Sequence, residues 1–326
     1  MRGGLKSVSV SVDLGGTNMR VALVDQKGNI LKKRQRLTNS HLGRDKVFDN
    51  LVGEITQGVE MASSAEYQLE GIGIGYPGLV DGSGVVRGSP QFPDWIDFPL
   101  LHKLKEKFDV HIYVENDANC AALGELWMFG EKLPDTFVFV TLGSGIGGGV
   151  VLKGKLWKGY QGAAGEVGHI PVNPSGPICG GGHRGCVEMF SSGVGLQNLF
   201  KQVSQSVESE FIKIFKEKES TLSPKCAFEW AKNDDIGAKR LYELFGNYLG
   251  IAFASIVNLL NPDAIVIGGA ISNSWEFFSN HIRVALHRHC FSYTADSIQI
   301  IKARLGEDAG LIGAASLVFL KDAYYH

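Results

Sequence analysis

Two glycine-rich turns and one carboxylate lying between them in sequence carry the chemistry that this chain can do. Asp13-Leu14-Gly15-Gly16-Thr17 follows one strand pattern, and Thr141-Leu142-Gly143-Ser144-Gly145-Ile146-Gly147-Gly148-Gly149 follows another. Backbone N–H groups reach a polyphosphate closely only where Cβ atoms are absent, and glycine turns supply that. The first turn also fits a tight hairpin with Asp13 as its turn residue. In the functional reading Asp13 holds Mg2+, directly or through water, while Gly16 and Thr17 present N–H and hydroxyl donors. Five glycines within residues 143–149 exceed what a hairpin requires. Gly268-Gly269 ends a third, buried-type strand, where close backbone approach to a nucleoside is expected.

Gly143, Gly145 and Gly148, with Glu166 about 20 residues on, also spell the G-x-G-x-x-G dinucleotide fingerprint. That fingerprint needs a helix after its last glycine, whereas residues 149–154 continue as a strand and a turn, which argues against a nicotinamide enzyme. No G-x-x-x-x-G-K-[ST] occurs either. Glu115-Asn116-Asp117-Ala118-Asn119 sits between a strand and a helix pattern. There Asp117 fits a helix N-cap. It also fits a general base that accepts the proton of an attacking hydroxyl, with Asn116 on a neighbouring hydroxyl. Downstream, Glu166, His169 and Glu188 add two carboxylates and an imidazole suited to a polyol. His169, Cys179 and Cys186 are spaced like zinc ligands, with His183 or a water as the fourth; plain thiols without metal are the alternative.

The elements that must position these residues alternate. Val8–Val12, Ile72–Ile74, His111–Val114, Thr136–Leu142 and Ala264–Ile267 read as strands, and residues 45–61, 119–129, 196–217 and 238–260 repeat apolar positions at helical spacing. The class is α/β. Residues 7–30 and 136–159 share one pattern of strand, glycine turn, strand, Lys-Gly turn and strand, which reads as a duplicated domain or as two hairpins alike by chance. Residues 309–320 read as a last helix that packs back on the first domain. With 326 residues, 44% hydrophobic and 20% charged, the chain can bury a large core, and two domains fit its length. A net charge of −2 leaves no basic field for nucleic acid or an anionic membrane. There is no signal-peptide pattern and no apolar run of about 18 residues, which points to the cytoplasm. Five cysteines are odd in number and too few for a disulfide framework. Of the 42 glycines, 17 fall between Gly143 and Gly195, so loop chemistry concentrates there.

Taken as a set, DLGGT at 13–17, GYPGLVD at 75–81, ENDAN at 115–119, TLGSGIGGG at 141–149, GEVGHI at 165–170, CGGGHRGCVE at 179–188 and LGEDAGLIGAA at 305–315 closely resemble the ROK family of repressors, open reading frames and sugar kinases. The resemblance implies an actin-like, hexokinase-type (ribonuclease H-like) fold with a cleft between two α/β domains, here 1–118 plus 308–326 and 119–307. It implies an ATP- and Mg2+-dependent sugar kinase, glucokinase-like, with Asp117 as base. Gly78, Gln91, Asn116, Asp117, Glu166, His169 and Glu188 would meet the sugar. Asp13, Gly15, Gly16, Thr17, Thr141, Gly143, Ser144, Gly145, Gly268 and Gly269 would meet ATP and Mg2+. His169, Cys179 and Cys186 would bind a structural zinc, and the family suggests a homodimer. The sugar implied is glucose, phosphorylated to glucose 6-phosphate, with N-acetylglucosamine, N-acetylmannosamine or fructose as alternatives. Two departures stand out. Gly181 occupies the place of the zinc loop's middle cysteine, and Gln91 replaces the usual Asn ahead of the Pro-x-Trp. Sugar-sensing regulators of the family carry an added N-terminal helix-turn-helix segment, for which the 12 residues before Asp13 leave no room.

Overall fold

Ser7, Ser9 and Ser11 alternate with Val8, Val10 and Val12 to build the first strand, β1 (Ser7–Leu14). The three valines are fully buried, and so are Ser9 and Ser11, whose hydroxyls lie 3.0 Å apart in a hydrogen bond. The strand is thus covered on both faces, as the central strand of an α/β sheet must be. The structure, a computed structural model, describes residues 5–218 and 222–320. The expected first-domain segments at 1–4 and 321–326 lie outside the described residues.

Two five-stranded sheets repeat one plan. The first runs β3 (Ile30–Leu37), β2 (Asn18–Asp25), β1, β4 (Gln68–Tyr76), β7 (Ile112–Asn116). The second runs β10 (Lys155–Trp157), β9 (Ile146–Leu152), β8 (Phe137–Leu142), β11 (Ala264–Gly268), β12 (Gln299–Lys302). In the first, β1, β2 and β3 form an antiparallel meander extended by parallel β4 and β7; in the second, in the same strand order, β9 and β10 are antiparallel and β11 and β12 parallel. The segments at 7–30 and 136–159 are therefore equivalent meanders, and the sequence repeat is a structural one. A small hairpin of β5 (Leu79–Val80) and β6 (Val86–Gly88) completes the strands.

Eleven α-helices are present among the described residues: α1 (Arg44–Ser64), α2 (Leu100–Lys105), α3 (Asp117–Phe129), α4 (Glu188–Ser191), α5 (Gly193–Val203), α6 (Glu210–Lys218), α7 (Pro224–Lys232), α8 (Ile236–Leu260), α9 (Trp275–His289), α10 (Ser292–Ser297) and α11 (Ala309–Phe319). The expected single helix over 196–217 is two helices. The serines between them turn their hydroxyls on the local backbone: Ser204 and Ser206 bond the carbonyls of Lys201 and Val203, and Ser209 accepts the N–H of Ile212. Such bonds compete with the helical ladder and favour caps. By length and composition α8 could cross a membrane, yet it packs against α9, α5, α4 and α7 and fully buries Leu241, Phe245, Leu249 and Phe253.

The chain forms two compact units. The first lies within Met1–Phe139, Gly149–Gly165 and Arg304–His326, the second within Val140–Gly148 and Glu166–Ala303, so the division runs through β8 and β9. In the first unit α11 packs on α3, β4 and β1, as expected for the last helix. The approach is at backbone distance. A Cβ on Gly313 would stand 1.6 Å from the Cys120 carbonyl oxygen, and one on Gly73 1.8 Å from that of Ala314.

The turn joining β2 to β3 is held by a buried carboxylate. Asp25 accepts the N–H groups of Lys27 and Asn29 at 2.9 Å each and pairs with Lys6 at 2.9 Å. Desolvation works to raise its pKa, but the Lys6 ammonium, the Asn29 amide and the two backbone donors outweigh it and hold it at about 2. A depressed folded pKa adds stability above the ordinary value of 3.8 that is lost as pH falls toward about 2. Asp25→Asn is expected to cost about 1–2 kcal/mol at pH 7, with the gap to wild type closing between pH 4 and 2 in urea unfolding.

Candidate active site

In the first unit, β1 delivers Asp13 and the turn Gly15-Gly16-Thr17 reverses the chain into β2. The Gly15 N–H bonds the Asn18 carbonyl at 2.9 Å, and Thr38 secures the turn from outside by bonding the Gly15 carbonyl through its hydroxyl and the Thr17 carbonyl through its N–H. Thr17 stays exposed. Arg20, the β2 residue directly opposite Asp13, pairs with Asp13 Oδ2 and also bonds the Glu307 carbonyl. Gln91 stacks its stem on Gly16. Its loop is anchored by Phe92, Trp95 and Phe98, which pack on one another and, for Phe92 and Trp95, on Tyr76 at 5.7 Å between centroids. Gln91 itself remains exposed at the tip.

The N-cap of α3 is Asn116, not Asp117. Asn116 has the extended backbone of a cap (φ −60°, ψ 143°), and its Oδ1 accepts the Asn119 N–H at 2.9 Å. Its Nδ2 donates to the Gly78 carbonyl at 3.1 Å, so Gly78 holds Asn116 and one amide N–H remains for a ligand. Asp117 is the first helical residue, one position too late to cap, and its Oδ1 accepts the Ala118 N–H at 2.8 Å. Behind it Glu115, 1% exposed, accepts the Asn116 N–H and the Asn119 amide through Oε1 and pairs with Lys158 Nζ through Oε2 at 2.9 Å.

In the second unit, the turn after β8 is closed by the Gly143 N–H on the Gly145 carbonyl at 3.0 Å. Helix α5 docks on it through the Gly193 N–H to the Gly143 carbonyl at 2.9 Å, and Ser192 caps that helix on the Gly195 N–H. The Glu188 carboxylate lies 3.1 Å from where a Cβ on Gly145 would be. The glycine turn and the Glu188 carboxylate are thus neighbours. Gly269, at φ 82°, faces the Leu142 carbonyl so closely that a Cβ would come within 2.3 Å. The space beyond the turn is a cavity of about 640 Å³ walled by Gly143, Ser144, Pro224, Phe228, Ile271 and Asn273 among others. Its size and mostly apolar wall suit a flat heterocycle. These walls escape sequence reading: Ser223-Pro224 signals a helix start but not what that helix faces.

Glu166 and Glu188 flank His169, with Glu166 Oε2 3.8 Å from Nε2 and Glu188 Oε1 3.8 Å from Nδ1. Desolvation raises the Glu166 pKa; the His169 ring opposes the shift and Glu188 adds to it. His169, Cys179, His183 and Cys186 bring one ligand atom each within 4.8 Å of all the others. Cys179 Sγ stands 3.6 Å from His169 Nδ1, 4.0 Å from His183 Nδ1 and 3.5 Å from Cys186 Sγ. A tetrahedral zinc with bonds of about 2.0–2.3 Å sets its ligands about 3.3–3.8 Å apart; the separations from Cys179 to His169 and Cys186 match that spacing, and His183 stands slightly wider. Burial, and next the Cys179 thiol, push Cys186 up to about 12. A cation between the two sulfurs is what would let both ionise. A Cβ at Gly181 would lie 3.3 Å from the His183 ring and 3.6 Å from that of His169. A side chain at 181 would therefore crowd the His183 ring.

The whole described site can be set against known proteins. The chain matches the ROK family over residues 9–321. It is 34% identical to a glucokinase from Thermotoga maritima over 310 residues, covering 95% of this chain and 96% of that protein. It is 31% identical to the xylose repressor of Bacillus subtilis, covering 95% of this chain but 76% of the repressor. Among solved structures, a ROK family glucokinase from Streptomyces griseus in complex with glucose and AMPPNP superposes with a TM-score of 0.80 at 31% identity, over 95% of this chain and 98% of that one. The fold is the two-domain, actin-like fold of hexokinase type. By a match that spans nearly its whole length, the chain belongs to the ROK family.

Proposed function

We propose that this sugar phosphotransferase moves the γ-phosphoryl group of ATP to the C6 hydroxyl of glucose, giving glucose 6-phosphate. The observation that carries the reading is Asp117: an acid at the first position of α3, relieved of capping by Asn116 and oriented by the Ala118 N–H, in a chain 34% identical to glucokinases. Asp117 accepts the hydroxyl proton as the oxygen attacks phosphorus in line. Asn116, Glu166, His169 and Glu188, with Gln91, bind the remaining hydroxyls. The turns at Gly15–Thr17 and Thr141–Gly145 give N–H donors to phosphate oxygens, and the cavity at Pro224, Phe228 and Ile271 takes the adenine. Asp13 would hold Mg2+, which would supply charge neutralisation on the phosphates. Exclusion of water from the bound sugar is what lets transfer outrun hydrolysis of ATP. Five free thiols support a reducing, cytoplasmic setting.

ADP release measured across glucose, N-acetylglucosamine, N-acetylmannosamine, mannose and fructose tests the substrate. Glucose should give the highest kcat/KM; a higher value for an N-acetylhexosamine or fructose would move the assignment to that sugar. Zinc is proposed at His169, Cys179, His183 and Cys186, where it would brace the loop that carries His169. Purified protein should contain equimolar zinc, and His183→Ala should lose most of it on dialysis against a mild chelator. Full retention by that variant would remove His183 from the ligand set.

A further inference from the structure

The buried Glu115–Lys158 pair lies directly behind the residue to which the reaction assigns proton removal. Glu115 is 1% exposed, and its Oε1 gathers the Asn116 N–H at 2.9 Å and the Asn119 Nδ2 at 3.1 Å. Those two residues bracket Asp117 in the first turn of α3: Asn116 precedes it and, through its own Oδ1, caps Asn119. The Glu115 carboxylate therefore fixes the frame in which the Asp117 side chain is presented. Its other oxygen meets Lys158 Nζ at 2.9 Å. A carboxylate this deeply buried depends on a cation and on hydrogen bonds to stay charged.

Lys158 comes from a stiff part of the first unit. It directly follows β10, whose residues Lys155–Trp157 pair with β9. Its carbonyl accepts the Ala164 N–H at 3.0 Å, closing the loop that follows, and Gly162 of that loop lies against the Val80 carbonyl. The side chain is 26% exposed, so this is not a solvated surface pair of the kind that contributes little. We propose that Lys158 is a positioning residue for the general base, acting through Glu115; the proposal rests on the kinase reading above. Lys158 touches neither reacting atom. It pairs with the Glu115 carboxylate and holds it in place, Glu115 keeps Asn116 and Asn119 in register, and Asp117 is thereby held at the hydroxyl, where a displacement of about 1 Å can cost 10²-fold in rate.

The test is a set of three variants assayed with glucose, ATP and Mg2+ beside wild type. Lys158→Met should lower kcat about 10- to 100-fold with KM for ATP within about two-fold. Lys158→Arg, which keeps the cation, should return kcat to within a few-fold of wild type. The double variant Glu115→Gln/Lys158→Met, which leaves no unpaired buried charge and retains an acceptor for both donors, should recover much of the loss. That recovery also decides the matter if Lys158→Met alone does not fold. A folded Lys158→Met with wild-type kcat would overturn the proposal. So would a loss that neither Lys158→Arg nor the double variant relieves, since the lysine would then be needed for something other than the charge on Glu115. Wild type inactive on every sugar would instead remove the kinase reading, and this proposal with it.

Discussion

Asp117→Asn should leave a folded protein whose kcat has fallen about 10²–10⁴-fold, the usual worth of a general base. The substitution spares the local structure for reasons that can be read residue by residue. The cap of α3 belongs to Asn116, and an asparagine at 117 keeps an oxygen for the Ala118 N–H that Asp117 Oδ1 now accepts. What it removes is the ability to take a proton. Because that transfer occurs only on the way to the transition state, kcat and kcat/KM should fall together while KM for glucose and for ATP stays within a few-fold. Initial-rate kinetics with thermal unfolding as the folding control reads both. A folded variant that phosphorylates hexose at the wild-type rate would take the base assignment away from Asp117.

The second large effect is on stability. Gly313→Ala places a Cβ 1.6 Å from the Cys120 carbonyl oxygen and 2.2 Å from its carbon, so α11 and α3 must separate. Backbone cannot swing aside as a side-chain tip can, and the cost should be at least the 1–3 kcal/mol typical of overpacked cores, about 3 kcal/mol or more here. Gly53→Ala in α1 is the matched control: nothing lies within 4 Å of its Cβ, and alanine should gain about 0.5–1 kcal/mol through helix propensity. Denaturant midpoints of the two variants should move in opposite directions. Equal midpoints would mean that α11 does not sit at backbone contact with α3.

What was legible in the sequence was local. The glycine turns at 15–17 and 143–145, the strand-to-helix junction at 115–119 and the His/Cys loop at 169–186 each put their chemistry within a few residues, and the repeat at 7–30 and 136–159 announced the two equivalent meanders. What escaped was carried by distance in the chain. Glu115 and Lys158 are 43 positions apart, and no pattern around either one marks the pair. The cavity beside Gly143 takes walls from Pro224 and Ile271, whose own neighbourhoods read as an ordinary helix start and an ordinary turn. Asp117 was open to reading as a cap because Asp is a strong capping residue, but Asn116 has the same ability and comes one position earlier, where the strand geometry of β7 ends. The helix over 196–217 fails at Ser204–Ser209, where apolar spacing persists across serines that bond the backbone instead. Gly181 is visible in sequence as a departure; that a side chain there would crowd the His183 ring is visible only in the structure.

Relatives of this chain include both kinases and repressors, so whether it transfers phosphate to a sugar or merely binds one is directly testable. The most direct measurement is the incubation of purified protein with ATP, Mg2+ and glucose, with ADP and glucose 6-phosphate quantified in the same sample. Equal amounts of the two, dependent on glucose and formed about 10²–10⁴-fold more slowly by Asp117→Asn, are the expected result. Calorimetric binding of glucose by a folded protein that forms neither product would contradict the account and identify a sugar sensor.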